Sequence, residues 1–88
     1  MYDIRLLKAA VYDLEQLDKI VAKRVINKIN WLAKNLDAIR PQQLTGELRG
    51  LYKLREGDYR IIYEIIRKEN LIIIHFIGHR RQVYRKPS

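Results

Sequence analysis

The chain has no cysteine. That excludes a disulfide framework and any thiolate metal site, and it leaves the redox compartment unconstrained. The two histidines have no carboxylate cluster beside them, so no metal-ligand pattern is left either, and no cofactor is expected. No run approaches the roughly 18 apolar residues that would read as a membrane-spanning helix. The opening Met-Tyr-Asp-Ile-Arg lacks the apolar h-region of a signal peptide, so a cytoplasmic location is expected, with no membrane partner. Repeats and low-complexity tracts are also missing. Proline occurs twice, and Pro41 falls where it can only end a helix.

Acidic residues are scarce as well. Ten Asp/Glu stand against 18 Lys/Arg, for a net charge of +8. Such an excess favours a polyanionic partner: nucleic acid, a ribosome or an acidic protein. It is unevenly spread. Residues 1–48 carry eight Lys/Arg and six Asp/Glu, whereas residues 49–88 carry ten and four. With 88 residues the chain is one domain spanning 1–88. A domain of this size buries only about 60–65% of its unfolded surface, so its stability margin is thin.

The hydrophobic pattern sets the order of elements. Tyr2 to Leu7 reads as a short strand. From Lys8 the period becomes helical, with Ala10, Val11, Leu14 and Leu17 on one face. Asp18 stands as an N-cap for a second helix with an apolar face of Ala22, Val25, Ile26, Ile29, Leu32, Ala33 and Leu36. The link between them is very short, which predicts an antiparallel helical hairpin. The second helix is expected to end near Asn35–Asp37, and residues 37–50 read as a loop. Strands follow at 51–55, 59–67 and 71–78. The last two are almost continuously apolar and therefore largely buried on both faces. The sum is an α+β domain, β-α-α-β-β-β, with the helical hairpin on a small, mainly antiparallel sheet and a basic C-terminal tail.

Gly57-Asp58 reads as the two-residue loop of a type II′ hairpin, because glycine leads in that turn. This register puts Arg55 opposite Arg60, with Lys53 two residues back on the same side. Leu54, Ile61 and Tyr63 point the other way, into a core. Like charges directly across a sheet destabilise it, so the arrangement calls for an anion. The plain alternative is a solvated edge of long flexible side chains.

Three segments carry a family resemblance. They are Leu44-Thr45-Gly46-Glu47-Leu48-Arg49-Gly50-Leu51-Tyr52-Lys53-Leu54-Arg55, then Gly57-Asp58-Tyr59-Arg60-Ile61-Ile62-Tyr63, then Gly78-His79-Arg80-Arg81-Gln82-Val83-Tyr84. In this order and spacing the chain resembles the RelE/ParE superfamily of type II toxin–antitoxin toxins, and within it the RelE branch. The resemblance covers nearly the whole chain. It implies a RelE-like fold and a ribosome-dependent, metal-independent endoribonuclease that cuts translated mRNA in the A site of the 70S ribosome. It also implies a cognate, acidic, RelB-like antitoxin, with DNA reached only through that partner. The family's catalytic roles fall on Lys53, Arg55, Arg60, Arg80 and Tyr84. Arg55 departs from a second lysine in some RelE enzymes. The interval from Arg80 to Tyr84 is short, so Arg80 and Arg81 compete for one role, and Arg80, directly after Gly78-His79, is preferred.

Cleaving RNA by internal transfer requires a proton to leave the 2′-hydroxyl, charge on the phosphorane to be stabilised, and the 5′-oxygen to be protonated. Arginine is a poor base but grips phosphate oxygens in a planar fork, so Arg55 and Arg60 fit the electrostatic role. Lysine becomes a base where neighbouring cations favour its neutral form, which makes Lys53 the candidate base. Arg80 is placed at the leaving group, and Tyr84 to stack on a base. Arg49, Arg81, Arg85 and Lys86 are candidates for RNA and ribosome binding. Arg60 is expected to keep its head group outside the core. Histidine titrates near neutral pH, so His79 is a possible acid or base. His75, inside an apolar strand, reads as a hydrogen-bonded structural residue. Glu64 has the parity of Arg60 but lies roughly 13 Å along the strand at about 3.3 Å per residue, too far for a base. Trp31 projects from the polar side of the second helix, beside Arg24, Asn27 and Lys28, as a possible antitoxin anchor. Two other classes remain open: a ParE-type DNA gyrase poison without nuclease activity, and a non-catalytic RNA-binding module.

Overall fold

The computed structural model describes residues 1–79; Arg80, Arg81, Tyr84, Arg85 and Lys86 of the expected site lie outside the described residues. The elements are β1 (Asp3–Leu6), α1 (Lys8–Gln16), α2 (Lys19–Asn35), β2 (Gln42–Gln43), β3 (Tyr52–Glu56), β4 (Tyr59–Ile66) and β5 (Leu71–His79). Short 3₁₀ turns lie at Leu36–Ala38, Gly46–Leu48 and Arg67–Glu69. This is the α+β order read from the sequence, with one addition. Residues 37–50 are not wholly loop: Gln42 and Gln43 pair with Lys53 and Tyr52 as a two-residue edge strand.

The sheet runs β1-β5-β4-β3-β2. β1 is parallel to β5, and the remaining pairs are antiparallel. A parallel neighbour requires a crossover, and the helical hairpin supplies it. Asp18 starts α2 as expected: its Oδ1 accepts from the Ile20 N–H at 2.9 Å and the Val21 N–H at 3.1 Å. Val25, Ile29, Leu32, Ala33 and Leu36 are buried along that helix. They pack with Ala10, Ile61, Tyr63, Ile72, Ile74 and Ile77 in a single core between helices and sheet. Each large aliphatic side chain buried there stabilises the fold by about 1.5–3 kcal/mol before entropy is counted. Two members of the expected apolar faces are not in it. Val11 and Ile26 are 40% and 44% exposed. They sit at the margin of each stripe, where the hairpin does not reach them.

Two polar ties close the ends. The Tyr2 hydroxyl donates to Asp37 Oδ1 at 2.9 Å, and Arg67 Nη1 reaches both the Tyr2 oxygen and that carboxylate. The Asp37 carboxylate that accepts its proton, together with burial, holds the Tyr2 hydroxyl above its ordinary pKa, against the pull of Arg67. At the other end β5 runs past β1 and exposes a strand edge. Asp13 of α1 covers it, Oδ2 accepting from the Ile77 N–H at 2.9 Å.

Candidate functional site

The β3–β4 hairpin turns at Gly57, φ +60°, while Asp58 keeps a negative φ, the sign pattern of a type II′ turn. The ladder opposes Arg55 to Arg60, Leu54 to Ile61 and Lys53 to Ile62. Leu54 and Ile61 belong to the core side, so Lys53, Arg55 and Arg60 emerge on the face turned away from the helices. The structure thus brings these three expected residues together. Arg49 lies in the glycine-bounded loop that feeds β3, between Gly46 at φ +66° and Gly50 at φ +93°.

Depth separates the two opposed arginines. Arg55 is exposed, and its Nε donates back to the Gly57 carbonyl at 3.1 Å. Arg60 is only 8% exposed. That corrects the expectation that its head group stays outside the core. It sits on β4, between β3 and β5, opposite Gly78, with Ile62 fully buried two residues along. Its Nη1 makes one long bond, 3.4 Å, to the Tyr59 carbonyl, and its Nε is buried without a hydrogen-bond partner among the described residues. The carboxylates Asp37 and Glu64 are taken by Arg67 and His75. A buried guanidinium so poorly satisfied costs stability, typically about 1–3 kcal/mol for one orphaned donor. An anion above the sheet would offset that cost.

His79 does not join this face. The β4–β5 register shifts by one between Ile62 and Tyr63, with Ile62 opposite Phe76 but Tyr63 opposite Ile74. His75 is the extra residue of that bulge, and it reverses the side on which every later residue of β5 points. Ile77 and His79 therefore turn toward the helices. His79 meets the Tyr59 ring edge-on, centroids 5.6 Å apart, in a cleft walled by Tyr12 and Gln16 of α1. His75 is hydrogen-bonded as expected, Nε2 to Glu64 Oε1 at 2.9 Å, which also occupies Glu64.

On the helix side, Tyr63 stacks on Tyr52 with centroids 5.7 Å apart. Its hydroxyl is buried without a partner, and burial pushes its pKa up to about 12. Trp31 is 39% exposed on α2, with Lys28 Nζ 4.4 Å from its ring centroid. Sequence reasoning missed Asp13, whose role depends on where β1 ends, and Arg24, which lines the cleft between α2 and the hairpin together with Arg55. The spacing of Arg24, Asn27, Lys28 and Trp31 was the signal available for the latter. Among the described residues no group of three or more potential ligands is arranged for a metal, and no helix is long and apolar enough to cross a membrane.

The family model described as ParE toxin of type II toxin-antitoxin system, parDE, matches residues 4–84. Among solved structures, the chain resembles one in the RelBE2 toxin–antitoxin complex of Mycobacterium tuberculosis, at 25% identity and TM-score 0.79, covering 89% of this chain and 96% of that one. It resembles one in the archaeal RelE-RelB complex of Pyrococcus horikoshii OT3 at 28% identity and TM-score 0.68, covering 97% and 98%. The isolated RelE toxin of E. coli shares the fold at 18% identity and TM-score 0.74, covering 90% and 84%. A search of curated proteins gives no match.

Proposed function

The chain belongs to the ParE toxin family of type II toxin–antitoxin systems, and on that premise we propose that it is a ribosome-dependent endoribonuclease that cuts translated mRNA and so inhibits translation. The observation that carries this reading is the buried, under-satisfied Arg60 opposed to Arg55. Two guanidinium groups on adjacent strands, with Lys53 on the same face, match a phosphate oxygen pair better than they match each other. The RelE-type relatives at 25% and 28% identity support the same branch.

In this reading Lys53 takes the proton of the 2′-hydroxyl. The 2′-oxygen attacks phosphorus and closes a 2′,3′-cyclic phosphate. Arg60, aided by Arg55, stabilises the charge that builds on the phosphorane oxygens, usually the largest single contribution. The 5′-oxygen departs with a proton, Arg80 balancing its charge, while Tyr84 stacks on a neighbouring base. Arg49, Arg81, Arg85 and Lys86 bind RNA and ribosome. His79, on the other side of the sheet, has no part in the chemistry. No metal or cofactor is invoked. The ribosome holds the mRNA in line, which makes this catalysis largely one of orientation. A small acidic antitoxin is the partner that silences the +8 surface. DNA is reached only through it, and the setting is cytoplasmic.

A second reading rests on one observation: the matching family model is that of ParE. A ParE-type chain would poison DNA gyrase and need no nucleolytic site. The two separate in purified systems. Wild-type chain should stop translation with cleaved mRNA and leave gyrase supercoiling untouched, and Arg60→Ala should do neither. Gyrase inhibition with intact mRNA would replace the first reading by the second.

A further inference from the structure

Helix α2 carries five Lys/Arg and no Asp or Glu over its 17 residues. Four of its residues, Arg24, Asn27, Lys28 and Trp31, fall at i, i+3, i+4 and i+7 and form one stripe. The stripe walls a cleft whose other side is Glu56 of β3. Arg24 and Glu56 also border the adjoining cleft, which Arg55 and the hairpin turn complete. The groove is therefore continuous from Trp31 to the arginine that opposes Arg60.

We propose that this groove is a second RNA-docking surface, in which Arg24 and Lys28 hold backbone phosphates and Trp31 stacks on an unpaired base. It deepens the ribonuclease reading and rests on it for the choice of RNA as the polyanion. The chemistry around Trp31 favours RNA over an acidic protein helix. A tryptophan that anchors a protein partner sits within an apolar patch. Here its cleft-lining neighbours are Arg24, Asn27, Lys28 and Glu56, all polar. A cation beside an exposed ring, flanked by further donors, suits a base and its phosphates. Arg55, reaching the same groove, joins it to the cationic face of the sheet, so one strand can run from Trp31 to the cleavage site.

Trp31 is the only tryptophan, so its emission reports on this groove alone. The full chain, carrying Arg60→Ala so that no cleavage intervenes, is titrated with a short oligouridylate and, separately, with polyglutamate of equal charge. The oligouridylate should quench Trp31. Arg24→Glu with Lys28→Glu should weaken binding about tenfold or more and lower the salt slope by about two, one for each lost phosphate contact. Arg24→Gln with Lys28→Gln, if the reversal unfolds the chain by circular dichroism, should show the same trend. Three results would each overturn the proposal: no response to oligouridylate, an unchanged affinity in either double variant, or polyglutamate bound as tightly as RNA. Whether the unsubstituted chain cleaves mRNA is read separately, so loss of the nuclease reading and loss of this groove are distinct outcomes.

Discussion

Arg55 and Arg60 stand directly opposite each other across the β3–β4 ladder, one exposed and the other 8% exposed. A sheet ordinarily avoids like charges at such a pair. The pair is thus a local cost to folding, concentrated on Arg60.

Arg60→Met removes the buried charge and its orphaned Nε while roughly keeping volume. Stability should rise by about 1–3 kcal/mol, since replacing a poorly satisfied buried ion with an apolar side chain is often stabilising. Toxicity should fall by about 100-fold or more in rate terms. Urea unfolding beside a growth assay checks both. A variant that is destabilised yet fully toxic would contradict the assignment.

Tyr63 gives an alkaline limb. Its pKa is about 12 in the fold against 10.0 as a free side chain. Below pH 10 both states are protonated and stability is whole. Between about pH 10 and 12 the unfolded chain ionises first and stability falls, by up to about 2 kcal/mol. Tyr63→Phe should flatten this limb relative to the parent and leave neutral-pH stability equal or higher, because an unpaired buried hydroxyl is lost. Thermal melts across that range decide it.

Asp13→Ala should cost about 1–3 kcal/mol, the penalty for leaving the Ile77 N–H unpaired where water has poor access. Hydrogen exchange at Ile77 should accelerate more than at Ile72. Equal protection at both amides would show that Asp13 does not hold the strand end.

His75→Ala and Glu64→Ala should each change stability by less than about 1 kcal/mol, because the pair is partly solvated. Both variants should stay toxic. A non-toxic, folded His75→Ala would move the chemistry toward the bulge.

Much of this was legible in the chain. Gly57-Asp58 fixes the hairpin register, and that register alone puts Lys53, Arg55 and Arg60 on one face. Asp18 marks the start of α2. What escaped has physical causes. Parity tells which side a residue faces, not how deep it lies, so the burial of Arg60 beside Ile62 was hidden. The bulge at His75 has no glycine or proline to announce it, and it carries His79 to the helix side. Gln42 and Gln43 have no alternation to read as a strand. The parallel pairing of β1 with β5 is a matter of distant partners. Arg80 and Tyr84 fall outside the described residues, and their roles rest on the family resemblance.

The central claim is that the cationic face centred on Arg60 cuts mRNA on the ribosome. Mapping 5′ ends of cellular mRNA after brief expression of the chain tests it most directly. The account predicts new ends confined to translated reading frames, absent with Arg60→Ala and absent when translation is blocked beforehand. Intact mRNA alongside gyrase-dependent DNA breaks would contradict it.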